Sequence, residues 1–127
     1  GSWGGNPGAA STDGSYHIFT SWSHMHQYAL QLTATTNGQT IYSESNWDEP
    51  KLYWHMPGYS NPSTASGPTT PIAMTASQGI SWTCNYYNPT GSTMTFGDSA
   101  VSNVMCIYMA QYYPANPTNP DVIYVFN

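Results

Sequence analysis

From Ser15 onward the chain alternates short runs rich in Tyr, Trp, Ile and Thr with clusters of Gly, Pro, Asn and Ser, and no long stretch carries apolar residues at helical spacing. Short runs bounded by turn residues predict strands. They fall near residues 15–22, 25–36, 39–44, 51–56, 71–76, 80–88, 93–97, 104–113 and 121–126. The clearest turn is Asn37-Gly38, which accepts the positive φ angles of a two-residue type I′ hairpin. It sets a register in which Thr36 faces Gln39 and Ala34 faces Ile41, on the same face as Leu30 and Leu32. Residues 104–111 also fit a buried helical turn, because periodicity does not separate helix from strand in so short an apolar run. Strands at this spacing predict an all-β fold, an antiparallel sandwich or jelly roll of about 8–9 strands.

Three segments follow. Residues 1–14 are Gly-rich and expected to be flexible, 15–114 form the β-sandwich domain, and 115–127 are a Pro-rich spacer leading to a C-terminal strand. Within the domain, residues 57–71 form a long Ser/Pro/Gly loop.

Composition narrows the function. The 127 residues carry one Lys or Arg against six acids, a formal charge of −5, and only 6% are charged, where soluble domains average about 25%. Nucleic-acid binding draws on Lys and Arg against phosphates, so Lys51 alone excludes it. No window approaches the ~18 apolar residues of a membrane span. The two cysteines, Cys84 and Cys106, read as one disulfide in an exported protein or as two buried thiols in a reducing compartment.

The sharpest local feature is Ser23-His24-Met25-His26. Residues two apart on a strand point the same way, so His24 and His26 present two imidazoles side by side, as a metal site requires. On the predicted strand they continue onto the face of Tyr28, Leu30 and Leu32, at the rim of the core. A blue-copper site needs a Cys ligand with a His close behind it, and neither Cys has one. The third ligand stays open between His17 or His55, which would suit zinc, and one of the six methionines, whose thioether favours Cu(I). Taken alone, His55 beside Trp54 reads as a plain surface histidine. The acids are scattered, and no nucleophile elbow or phosphate loop appears.

Several segments in order, Ser23 to His26, Thr83-Cys84-Asn85-Tyr86-Tyr87-Asn88-Pro89-Thr90, Thr95-Phe96-Gly97-Asp98-Ser99-Ala100, Met105-Cys106 and Tyr112-Tyr113-Pro114, resemble one known family. It is the carboxy-terminal domain of the copper type II, ascorbate-dependent monooxygenases, the group of dopamine β-monooxygenase and peptidylglycine α-hydroxylating monooxygenase, and the likeness points to their bacterial relatives. The resemblance implies an antiparallel jelly roll, mononuclear copper on His24, His26 and Met105, and a Cys84–Cys106 disulfide beside the methionine. It also implies oxygen insertion into a substrate C–H bond. Family enzymes draw the second electron from another copper domain, so an external electron donor is expected for the sequence given. Trp22 stands where the peptide-hydroxylating branch has an Arg that holds a substrate carboxylate, and recognition of that kind is not expected.

Two functional readings result. One is a secreted or periplasmic copper-binding domain, with zinc as the alternative metal. The other is a structural subunit of an extracellular layer or filament, self-assembling through the strand at 121–126, in line with the uncharged Tyr/Ser/Thr/Asn surface.

Overall fold

The run from Ser15 to Met25 forms one long strand, β2, around which half of the molecule is arranged in this computed structural model. The structure describes residues 2–3, 15–75 and 78–114. Among them the fold is all-β, with β1 (Ser2–Trp3), β2 (Ser15–Met25), β3 (Ala29–Thr36), β4 (Gln39–Glu44), β5 (Tyr53–Trp54), β6 (Ala65–Ser66), β7 (Ile72–Thr75), β8 (Ile80–Tyr86) and β9 (Cys106–Tyr113). One antiparallel sheet has the order β1-β8-β3-β4-β6. In the second, β9 runs along one edge of β2, while β5 and β7 share the other.

The core lies between the sheets. Tyr42 on β4 meets Tyr53 on β5 and Tyr108 on β9, and Trp82 on β8 meets Tyr108, with ring centroids 5.8–6.2 Å apart. Leu32, Ala34, Ile41, Ile18 and Met74 fill the spaces between these rings. The Cys84–Cys106 disulfide joins β8 to β9 and so ties the two sheets covalently, with the Cα atoms 5.8 Å apart.

Two irregularities decide which side chains face inward. The β2–β9 register shifts between Ile18 and Thr20, leaving Phe19 as an extra residue. Before it, Tyr16 and Ile18 carry the core face; after it, Ser21, Ser23 and Met25 do. An extra residue exchanges the faces of everything that follows. Without it His24 and His26 would share the core face of Tyr16 and Ile18; with it they stand opposite Met25.

The second irregularity lies in the hairpin. Asn37 and Gly38 both take positive φ, and Thr36 pairs with Gln39 as expected. Ala34 pairs with Tyr42 rather than Ile41, because the register shifts between Ala34 and Thr35 and leaves Ile41 unpaired with a β3 residue. Ile41 and Tyr42 are adjacent and both buried. Tyr42 joins the aromatic core, while the chain at Gly67 crosses close to the Ile41 carbonyl, where an added Cβ would come within 2.6 Å. Glycine is required there because no side chain fits.

The strand read over 25–36 is broken by a turn at Gln27-Tyr28, with Tyr28 at φ 72°. A non-glycine residue in that region is uncommon, so nothing in the composition marked the turn. A further register shift between Ala29 and Gln31 leaves Leu30 57% exposed, whereas Leu32 is fully buried. Leu30 is therefore not on the core face expected of it. Of the run 104–113, Cys106–Tyr113 is a strand and no part is a helical turn, while Val104 and the segment 93–97 contribute only a Phe96–Val104 bridge. β6 arises inside the long loop, where none was expected. The expected strand at 121–126 lies outside the described residues.

The contrast between the two leucines gives a test. Leu32→Ala costs about 2–5 kcal/mol of unfolding free energy and Leu30→Ala stays within about 0.5 kcal/mol. Urea unfolding measures both, and equal losses would contradict the register.

Candidate metal centre

The site is built where β2 ends. β9 is paired to β2 with Met25 opposite Cys106 and His24 opposite Ile107, and His26 follows the end of β2 as Met105 precedes the start of β9. Residues directly opposite in an antiparallel pair point to the same face. His24 and Ile107 therefore share the face of the β2–β9 pair opposite to the core side of Met25, with His26 and Met105 next in the chain at the same end.

The two imidazoles face each other nitrogen to nitrogen. His24 Nε2 lies 3.2 Å from His26 Nε2, with the rings at 84°. Two nitrogens that each bind one ion at about 2.0–2.1 Å, at angles between a right angle and a tetrahedral one, stand about 2.8–3.4 Å apart. The observed spacing falls inside that window. His26 Nδ1 is 3.0 Å from the carbonyl oxygen of Asn103, and because a carbonyl only accepts, Nδ1 carries the proton. Nε2 of His26 then bears a lone pair, which is the tautomer a metal ligand needs.

A tight loop presents that carbonyl. Val104 N–H donates to Thr95, Gly97 N–H to Val104 and Asn103 N–H to Ser99, while the Asn103 side chain accepts from Ser99 N–H. Gly97 allows the fold-back, since a Cβ there would lie 2.5 Å from Asn103 Oδ1. Gln27 N–H donates to Ala100 and docks the loop over His26, which is buried although it sits on the outer face. His24 remains exposed. Its pKa is lowered from the usual histidine value, first by partial burial and second by the neighbouring His26.

Tyr86 completes the frame. Its hydroxyl donates to the Met105 carbonyl and accepts from both His26 N–H, at 3.1 Å, and Met105 N–H, at 3.2 Å. One phenol oxygen thus holds the backbones of two candidate ligands. On the other side of Met105 the Cys84–Cys106 bridge anchors the strand. Met105 also lines an open, largely apolar cavity of about 410 Å³ together with Trp82, Cys84, Tyr86 and Phe96.

The remaining histidines are elsewhere. His17 lies seven residues back along β2, about 23 Å at strand rise, stacked 5.0 Å from Tyr113. His55 is fully buried, not a surface histidine: Nδ1 donates to the Pro68 carbonyl at 2.7 Å and Nε2 pairs with Ser21 Oγ at 2.7 Å. Both of its nitrogens are occupied, and burial lowers its pKa against a smaller opposing effect of the Pro68 hydrogen bond. Among the described residues no three His, Cys, Asp or Glu side chains converge on one point. A third protein ligand for the His24–His26 pair drawn from the described residues would be of another donor class.

Compared with family models, with curated proteins and with solved structures, the chain finds no match in any of the three.

Two outcomes are expected. Tyr86→Phe strips three backbone groups of their partner and lowers stability by about 1–3 kcal/mol in urea unfolding; an unchanged midpoint would contradict its role. Because His24 and His55 resist protonation when folded, the unfolded chain binds more protons once pH falls below about 6.5. Their contribution is whole above that pH and is lost below it, so the denaturation midpoint falls from neutral to mildly acidic pH and the fall is smaller in His55→Gln.

Proposed function

We propose that this chain is an exported copper-binding domain whose metal is held by His24, His26 and Met105. The observation that carries the proposal is the facing pair of Nε2 atoms, with the proton of His26 committed to Asn103 on the far side of the ring. Two neutral imidazoles and one thioether form a soft, neutral donor set, which favours Cu(I) over zinc. The sequence resemblance to ascorbate-dependent monooxygenases suggests the same set, and a disulfide that joins two sheets fits an oxidising compartment. Bound there, copper would supply a one-electron, oxygen-reactive centre of the kind those enzymes use.

The protein's part is positioning. Asn103 fixes the tautomer of His26, Tyr86 fixes its backbone and that of Met105, and exposed His24 leaves one side of the pair open to solvent. The neighbouring cavity is lined mainly by apolar and aromatic residues together with Thr83, and by no charged residue. A substrate or carrier partner that docks there would be uncharged, and an external donor would supply electrons.

A second reading, a subunit of an extracellular layer or filament, is supported by β9. This eight-residue strand contains no charged residue, and the lack of charge removes one of the devices that keep a strand from pairing with another chain. Strict monomer behaviour in light scattering at high concentration would count against this reading.

An anaerobic competition titration tests the metal. One equivalent of Cu(I) is expected to bind tightly, with affinity reduced at least about tenfold in Met105→Ala and in His24→Ala. Absence of a tight site, or a site indifferent to Met105→Ala, would overturn the proposal, and a preference for Zn(II) would return the zinc alternative.

A further inference from the structure

The candidate metal centre leaves one buried polar chain unused. Tyr108 Oη lies 2.7 Å from Ser21 Oγ, which lies 2.7 Å from His55 Nε2, and His55 Nδ1 lies 2.7 Å from the Pro68 carbonyl. Ser21 and His55 are fully buried and Tyr108 is 6% exposed. Donor counting orders the protons. The Pro68 carbonyl only accepts, so His55 Nδ1 is protonated and Nε2 accepts from Ser21. The serine proton is thereby committed, and Tyr108 O–H donates to Ser21.

This chain ends on a base. Tyr42 donates to Ser23, Tyr53 to the Gly67 carbonyl and Tyr86 to the Met105 carbonyl, none of which takes up a proton near neutral pH. Tyr108 alone among these is linked to an imidazole. Its ring also touches Trp82, with centroids 6.2 Å apart, and Trp82 reaches the lining of the open cavity beside Met105. Burial keeps His55 neutral at rest, while the Pro68 hydrogen bond favours the imidazolium once it forms.

We propose that Tyr108 is a proton-coupled redox site that is oxidised by one-electron oxidants reaching the cavity edge at Trp82. Tyr108 loses one electron through Trp82 to the oxidant, which is reduced by one electron. Its hydroxyl proton passes to Ser21 Oγ as the serine proton passes to His55 Nε2. The products are a neutral tyrosyl radical, an unchanged serine and a His55 imidazolium still bonded to Pro68; reduction reverses each transfer. The oxidant is an oxidised metal complex that docks at the mouth of the cavity, or a radical small enough to enter it. The proposal does not rest on copper binding.

The test uses metal-free protein and photogenerated tris(bipyridine)ruthenium(III), with persulfate as the terminal acceptor, followed by freeze-quench electron paramagnetic resonance. Exposed tyrosines such as Tyr59 and Tyr87 also form radicals, but these decay by encounter with other molecules. A persistent tyrosyl signal is expected that is lost in Tyr108→Phe and kept in Tyr87→Phe. Tyr108→Phe keeps the ring against Trp82 and Tyr42 and removes only the oxygen, so the fold is retained. His55→Gln should slow formation of that signal and reduce its solvent deuterium effect. A persistent signal of equal size in Tyr108→Phe, its absence from the wild-type protein, or formation unaltered in His55→Gln would each overturn the proposal. None of these outcomes bears on copper, which the experiment omits.

Discussion

A strand has two faces, and β2 must use both. It has to close the core with one and turn His24, with His26 just past its end, away from the core, yet its leading core residues, Tyr16 and Ile18, share even numbering with the histidines. The extra residue at Phe19 resolves the conflict. The candidate site depends on that exchange of faces: His26 can meet the loop over 95–104, and the odd-numbered Ser21, Ser23 and Met25 can turn inward to His55, Tyr42 and the core. A register slip would send the histidines into the space now occupied by tyrosine rings.

Polar groups enter the interior only with partners suited to them. The Tyr108–Ser21–His55–Pro68 chain has every donor directed at an acceptor, and the Tyr86 hydroxyl gives one hydrogen bond and receives two. Satisfied buried networks of this kind specify one arrangement, because breaking any link leaves an unpaired group in a medium of low polarity. In a chain with so few charges, hydroxyls and carbonyls take over the orienting tasks that carboxylates often perform. Asn103 illustrates this: its backbone carbonyl, not a side-chain acid, orients His26.

Much of the fold was legible in the residues. Asn37-Gly38 announced its hairpin, the turn clusters announced the all-β class, and an even cysteine count allowed the bridge that forms. The breaks that mattered most were silent. Phe19, Leu30 and Ile41 are ordinary strand residues by type, and what sets them apart is a register shift against a strand distant or folded back in sequence, which local pattern does not encode. Tyr28 occupies a glycine-like conformation without glycine. At the site, His-X-His was visible as a pair, whereas the service of Tyr86 and of the Asn103 carbonyl depends on residues some 60 and 77 positions away from His26. His55 looked superficial because nothing beside it in sequence supplies a partner, and those that bury it, Ser21 and Pro68, lie elsewhere in the chain.

The proposed metal site joins the imidazoles of His24 and His26 to the Met105 thioether at the end of the β2–β9 pair. X-ray absorption at the copper edge of the Cu(I)-loaded protein tests it most directly. The account predicts a first coordination shell of two imidazole nitrogens and one sulfur, with the sulfur contribution absent from Met105→Ala. A shell of nitrogen and oxygen alone in the wild-type protein, or a sulfur that persists in the variant, would contradict it.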